Sequence, residues 1–420
     1  MIDTKAFEQY ESEVRSYCRK FPTVFKSAKG AYITDENGRE YLDFFCGAGA
    51  LNYGHNHPYI KQKVIDYLMQ DGIVHALDMY TSAKRELIDT VENRLLKPRG
   101  LNYKIMFPAP TGTNAIEAAL KLARKVKKRT NIMGLMGCFH GMTLGALSLT
   151  CERDARAGAG VPLSNITHIP APYMFEGLDT IDYADKLLSD DHSGVELPAA
   201  FILETVQAEG GIMVFEPDFL KRLRALCDKY DMLLIVDDIQ VGCGRTGTFF
   251  SFERAGIVPD IVVLSKSVGG LGLPMALTMF KPELDVWAPG EHNGTFRGNN
   301  PAFVAAKAAI EVMLDEHLEQ NVKANEHVLK EGLDDIAALD SRLKARGIGY
   351  IWGIDCGNIP VKGFARKVID ECFKNGLIAE LAGRQDCVVK VMPPLIADED
   401  TLKKGIAIIK KSFETCLKSL

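Results

Sequence analysis

No stretch of this 420-residue chain stays apolar for the ~20 residues that a bilayer-spanning helix needs. The opening segment, MIDTKAFEQYESEVRSYCRK, is charged and amphipathic and lacks the apolar centre of a signal peptide, so a cytoplasmic protein is expected. No block of basic residues offers a footprint for nucleic acid, and no acidic tail offers a solvating segment. The net charge of −5 is spread along the chain in mixed signs. The ten cysteines never form C-x-x-C, which argues against a zinc ribbon or a dithiol redox motif and for reduced thiols. Low-complexity tracts and fixed-period repeats are also missing.

What is present is ordinary for a globular chain, with 47% hydrophobic and 25% charged residues and a length suited to two or three domains. Short β-branched runs alternate with helix-period stretches, the pattern of an α/β protein with a mostly parallel sheet. The clearest runs are NIMGLMG (131–137), AAFILET (199–205), MLLIVDD (232–238) and DIVVLSK (260–266). Continuous apolar runs suit strands covered on both faces. Helices are expected over Asn114–Lys128, Pro217–Tyr230 and Pro301–Leu318, and a hairpin over Gly30–Asp43. The expected organisation is a large α/β domain over 75–320 and a smaller domain built from both chain ends, 1–74 and 321–420.

Two of these runs end in ionisable residues. LLIVDD closes on Asp237 and Asp238, and DIVVLSK closes on Lys266. A β-crossover-β unit would put both at the carboxyl edge of one sheet, where ligands bind in open α/β folds. A pyridine ring is a good electron sink only while its nitrogen is protonated, and a carboxylate beside that nitrogen favours the proton. A lysine amine can condense with an aldehyde on the same ring. Alone, Asp237 reads equally as a cap or a surface ion pair, and Lys266 as a strand-end charge. Together they match one chemistry. A third part is PTGTNAIEAALKLARKV (110–126), whose Thr111, Gly112, Thr113 and Asn114 open a helix, with Asn114 as its expected N-cap and Glu117 three residues on. Such a start is a seat for phosphate, or a plain capped helix. Gly242–Gly247 (GCGRTG) matches G-x-G-x-x-G, but no helix follows it and Lys266 stands where an acidic strand end is required, so a dinucleotide site is not expected.

The stretch LLIVDDIQVGCGRTGTFFSFERAGIVPDIVVLSKSVGGLGLP resembles the cofactor signature of the class III, or ω-type, pyridoxal-phosphate-dependent aminotransferases. The resemblance implies the fold of PLP-dependent transferases (fold type I, aspartate-aminotransferase-like), with pyridoxal 5'-phosphate as cofactor. It implies that Lys266 is the Schiff-base lysine, that Asp237 pairs with the pyridine nitrogen and that Gln240 approaches the ring hydroxyl. GCFHGMT (137–143) resembles the family's aromatic motif, so Phe139 would stack on the ring, while His140 stacks beside it or packs as a loop residue. Gly112 and Thr113 would hold the phosphate. HNGTFRGNNP (292–301) resembles a loop that crosses a dimer interface, so Thr295 would reach the neighbouring subunit's phosphate in a homodimer or homotetramer.

Within that family, ESEVRSYCRKFPTVF, FFCGAGALNYGHNHP, GVPL (160–163) and PGEHNGTFRGNN resemble the diaminobutyrate-forming members. That implies small-molecule substrates: L-glutamate and L-aspartate β-semialdehyde giving L-2,4-diaminobutyrate and 2-oxoglutarate, a step toward ectoine or a siderophore. Other ω-amino substrates, such as ornithine or 4-aminobutyrate, are the alternative within the family. A racemase, aminomutase or decarboxylase on the same cofactor would need no carboxylate clamp of this type. There is one departure. Many ω-aminotransferases place an Arg before the Pro-Pro near the C-terminus to grip glutamate, and Glu209 resembles the acid that covers it. VVKVMPPL (388–395) has Lys390 there, a point charge without the bidentate fork. Arg19 and Arg297 are candidates to share the clamp.

Overall fold

The computed structural model describes residues 3–420. Seventeen strands form three larger sheets and one two-stranded ribbon among these residues. In chain order they are β1 Phe25–Lys29, β2 Tyr32–Asp35, β3 Glu40–Asp43, β4 Lys104–Met106, β5 Ile132–Leu135, β6 Ile166–Ile169, β7 Ala200–Leu203, β8 Val206–Gln207, β9 Met213–Val214, β10 Leu233–Asp237, β11 Ile261–Leu264, β12 Leu277–Phe280, β13 Lys344–Ile348, β14 Ile351–Asp355, β15 Leu377–Ile378, β16 Glu380–Ala382 and β17 Val388–Val391. The central sheet has the order β4-β12-β11-β10-β7-β5-β6. Neighbours pair in parallel from β11 to β6, and only β12 runs antiparallel to its partners.

The four apolar runs singled out from the sequence became β5, β7, β10 and β11, and every residue of these strands is buried. Helices cover both faces, so each strand needs apolar side chains on both sides. The helix Gly112–Lys127 buries Ile116, Ala119, Leu120 and Ala123 against this sheet and turns Lys121 outward. Pro217–Lys229 and Asn300–Asp315 match the other helical expectations to within a few residues.

The chain's N-terminal and C-terminal parts meet in one smaller sheet, β1-β2-β3-β15. The hairpin β2–β3 pairs Tyr32 with Leu42 and Ile33 with Tyr41, and β15 joins β3 in parallel through Leu377 and Leu42. A second antiparallel sheet, β13-β14-β17-β16, carries Lys390 on β17 opposite Gly353 and Glu380. No helix among the described residues is long and apolar enough to cross a membrane.

Candidate active site

Strands β10 and β11 run side by side, with Ile235 opposite Ile261 and Asp237 opposite Val263. Their carboxyl ends therefore deliver Asp237 and, two residues beyond β11, Lys266 to one edge of the sheet. A cavity of about 460 Å³ opens there. Asp237, Lys266, Gln240, Glu209, Phe139, Gly112 and Thr113 all border it.

Lys266 sits at φ +52°, in the left-handed region that costs a residue with a side chain roughly 1–3 kcal/mol. The 3₁₀ turn Lys266–Gly269 holds it there, with the Ser267 hydroxyl donating to the Gly49 carbonyl at 2.7 Å. Lys266 Nζ donates to the Ala48 carbonyl at 2.9 Å. Ala48 has its own positive φ, +55°, inside a tight turn that faces its carbonyl toward the cavity. Burial pushes the Lys266 amine below the ordinary lysine range, against the opposing pull of the Glu209 carboxylate. That raises the share of neutral, nucleophilic amine.

Asp237 is buried, and two donors orient it. Oδ1 accepts from the Ile239 backbone N–H at 3.1 Å, and Oδ2 accepts from His140 Nδ1 at 2.7 Å. His140 is buried too. Burial alone would lower its pKa, but the hydrogen bond and charge of Asp237 outweigh burial and raise it. His140 is thus the group that aims Asp237, a pairing that sequence reading left undecided between ring stacking and loop packing. Its neighbour Phe139 borders the cavity, and the Phe139 backbone N–H donates to buried Glu204 at 3.0 Å. Burial pushes the Glu204 carboxyl up to about 7.

The phosphate-seat candidate lies at the start of the Gly112–Lys127 helix. Its cap is Thr111, not Asn114 as the sequence suggested: Asn114 Oδ1 accepts from the Thr111 backbone N–H at 3.2 Å and from its hydroxyl at 2.6 Å. Glu117 is thereby freed for another task, accepting from the Thr143 hydroxyl at 2.6 Å and the Ala146 N–H at 3.0 Å. Thr143 in turn accepts from the Thr113 hydroxyl at 2.6 Å. A Cβ on Gly112 would meet Ile239 Cδ1 at 2.9 Å, and a Cβ on Gly141 would meet Thr113 Oγ1 at 2.6 Å. Neither position has room for a side chain without moving its neighbour.

On the opposite side, Glu209 borders the cavity and pairs at 2.6 Å with Lys390, which lies behind it and does not itself border the cavity. Lys390 is fully buried and also pairs with buried Glu380 at 2.8 Å. The Tyr17 hydroxyl donates to Glu380 at 2.8 Å, and Tyr17 borders the cavity. Burial opposes the Lys390 charge, but the two carboxylates raise its pKa regardless. Burial likewise opposes the Glu209 charge, and the Lys390 and Lys266 charges lower its pKa. Tyr17 and Glu380 are the members that sequence reading missed. Tyr17 stood in view within ESEVRSYCRK, but nothing local marked it.

Three candidates lie elsewhere in the single chain. Arg19 is half-exposed and pairs with Glu13. Arg297 donates to Asn293 Oδ1 at 3.1 Å. Thr295 opens a 3₁₀ turn and accepts at its carbonyl from His75 Nε2 at 2.7 Å. None of the three borders the cavity. The Gly242–Gly247 segment is no dinucleotide cradle. Its Arg245 is fully buried and donates to the Tyr350 carbonyl at 3.0 Å and to Asn52 Oδ1.

The residues present fit pyridoxal phosphate. Gln240 donates through Nε2 to Ala48 and Glu209, while its buried Oε1 finds no partner among the described residues and is placed to accept from a ligand hydroxyl. A carboxylate for a ring nitrogen, an amine for an aldehyde, an aromatic face and a helix start for a phosphate share the one cavity.

Comparisons with known proteins span nearly the whole chain. The family model "Aminotransferase class-III" matches residues 15–413. A diaminobutyrate–2-oxoglutarate transaminase from Halalkalibacterium halodurans is 52% identical over 99% of this chain and 98% of its own. One of the same name from Wolinella succinogenes is 52% identical over 99% and 97%. Among solved structures, the ornithine aminotransferase of Toxoplasma gondii superposes with a TM-score of 0.85 at 26% identity, covering 99% of this chain and 94% of that one. A Bacillus anthracis aminotransferase shares the fold, with a TM-score of 0.87 at 22% identity over 98% and 97%.

Proposed function

We infer the activity from one premise: the chain belongs to the class-III aminotransferases. Its reaction is amino transfer from L-glutamate to L-aspartate β-semialdehyde, giving L-2,4-diaminobutyrate and 2-oxoglutarate, with pyridoxal phosphate as cofactor. The observation that carries this reading is the convergence of Lys266 and Asp237 on one cavity in a chain about half identical, end to end, to transaminases named for diaminobutyrate. The reading puts this product at the first step of ectoine synthesis, with diaminobutyrate supply for a siderophore as the alternative.

When bound, the cofactor supplies an aldehyde that condenses with amines and a ring that takes up the electrons left by a departing proton. Asp237, aimed by His140, holds the ring-nitrogen proton. Gln240 Oε1 would accept from the ring hydroxyl, Phe139 would cover a ring face, and Gly112 and Thr113 would seat the phosphate. Lys266 Nζ anchors the aldehyde end. The Lys266 amine would take the proton from the substrate carbon and return it on the other side of the transfer. Its lowered pKa suits both duties.

Lys390 supplies the cationic end for the glutamate carboxylate. With Glu209 swung against it, the charge is neutralised and the pocket accepts an uncharged chain end. With Glu209 withdrawn, one carboxylate site on Lys390 is free. Glu380 stays paired and keeps the buried ammonium from standing alone. The reading also includes a homodimer in which Thr295 is supplied across the interface. Support comes from the exposed apolar side chains Met69, Val74, Met79, Tyr80 and Phe296, which cluster along the 69–80 segment and beside Thr295.

The test is product analysis on the purified holoenzyme. Equal amounts of 2-oxoglutarate and 2,4-diaminobutyrate from glutamate and the semialdehyde are expected. Turnover with ornithine or 4-aminobutyrate but not with this pair would refute the substrate assignment. Borohydride reduction followed by peptide mass mapping tests the lysine separately: the cofactor mass belongs on Lys266, and Lys266→Ala should carry none and lose turnover.

A further inference from the structure

Behind the Phe139–His140 segment lie three side chains that the transfer reaction does not use. Cys138 Sγ and Cys151 Sγ are 3.8 Å apart. Together with a ring nitrogen of His168, their ligand atoms all lie within 4.8 Å of one another. Cys138 is buried, while Cys151 and His168 are part-buried. Two thiolates bound at ~2.3 Å in tetrahedral geometry are separated by about 3.8 Å, the spacing seen here.

The three groups also share one neighbour. The Leu149 carbonyl oxygen lies 3.2 Å from Cys138 Sγ, 3.6 Å from Cys151 Sγ and 2.7 Å from His168 Nε2. A carbonyl oxygen has two lone pairs, so the two thiols and the imidazole crowd it, and Cys151 Sγ also lies 3.8 Å from the Leu135 carbonyl. Loss of the thiol protons on metal binding relieves that crowding. A carbonyl held against the imidazole is also the usual partner that orients a ligating histidine. The frame is rigid: the Cys151 N–H donates to the Cys138 carbonyl at 3.0 Å, and Arg156 Nη1 donates to the carbonyls of Leu147, Ser148 and Thr150 at 2.8–3.0 Å.

We propose that Cys138, Cys151 and His168 form a binding site for one soft divalent cation of the Zn²⁺ class, with two thiolates and one imidazole as ligands. Nitrogen and sulfur donors of this kind select zinc-like ions over Mg²⁺ or Ca²⁺. Occupation anchors the segment that carries Phe139 and His140, and each thiol that ligates releases a proton.

The test uses the reduced, chelator-treated holoenzyme and Co²⁺ as a probe. The ligand-field bands of tetrahedral Co²⁺ lie to the red of cofactor absorbance. One equivalent of Co²⁺ per chain should give those bands, and Zn²⁺ should displace it. Cys151→Ser and His168→Gln should lose the bands while keeping cofactor absorbance and circular dichroism. Cys18→Ser, which alters an exposed thiol elsewhere, should keep them. Equilibrium dialysis with Zn²⁺ should show the same pattern, and zinc should raise the thermal midpoint of the wild type but not of Cys151→Ser. Absence of tetrahedral bands in the wild type, or their survival in both cluster variants, overturns the proposal. So does their loss in Cys18→Ser.

Discussion

At the scale of single residues, the site depends on buried charges that hold one another in place. His140 and Asp237 meet at 2.7 Å out of reach of bulk water. A hydrogen bond to a charged group contributes roughly 1.5–3 kcal/mol, so His140→Asn should lower kcat by about tenfold or more while leaving Lys266 able to take up the cofactor. The pH dependence has a definite sign. The native-state pKa of His140 is raised above its ordinary value near 6.5. Its contribution to stability is therefore complete below about pH 6.5 and is lost as pH rises through the raised native value. Thermal midpoints measured from pH 6 upward should fall more steeply for the wild type than for His140→Asn, and parallel slopes would contradict the pairing. Lys390 gives a second prediction. Lys390→Met leaves Glu209 and Glu380 facing each other without their cation, and breaking a buried pair in this way costs roughly 3–5 kcal/mol. Urea unfolding should show a clear drop in midpoint, and an unchanged midpoint would mean that the two carboxylates find other partners.

At the scale of elements, the site is an edge where strands stop and one helix starts. The strands β10 and β11 deliver Asp237 and Lys266 because parallel pairing aligns their carboxyl ends. The helix start supplies Gly112 and Thr113, and the loop 137–143 packs onto it through Thr113, Thr143 and Glu117. Gly141 is the close approach between the two. At φ +127° it occupies backbone space that side chains rarely enter, and a Cβ there would strike the Thr113 hydroxyl. Strain of ~1–3 kcal/mol falls on the phosphate seat. Gly141→Ala should therefore weaken cofactor binding about tenfold in a fluorescence titration of the apoenzyme, with the circular dichroism spectrum retained. Wild-type affinity would show that Thr113 has no part in the seat.

At the scale of the whole molecule, the cavity draws on segments far apart in the chain, and Arg245 ties several of them. It reaches the 46–52 turn through Asn52 and the C-terminal part through the Tyr350 and Pro393 carbonyls. Assembly belongs to this scale too. Tyr80 is fully exposed in the single chain, and Met79 and Phe296 are more than half exposed. The proposed homodimer would bury that surface. The double substitution Met79→Glu and Tyr80→Glu should shift the mass seen by light scattering toward the monomer and should lower activity with it, because Thr295 would no longer reach the partner's site. A wild-type protein that is already monomeric and active would dispose of the interface.

The one-dimensional pattern determined a good deal. Apolar runs long enough for strands covered on both sides foretold β5, β7, β10 and β11, and residues placed directly after two of them foretold the Asp237–Lys266 edge. These are local signals, a run and the residue that ends it. The rest depends on contacts between distant positions. Lys266 meets Ala48 across 218 residues, Asp237 meets His140 across 97, and Tyr17 meets Glu380 across 363. The cysteines tell the same story: no spacing in the chain suggested a metal, yet folding brings Cys138, Cys151 and His168 within 4.8 Å. A side chain's partner across the fold is set by how the sheets and helices pack, and no local pattern encodes that packing. Lys266 could be read as a strand-ending amine from its own neighbours. That its amine is desolvated, aimed at the Ala48 carbonyl and faced by Glu209 was settled by packing alone.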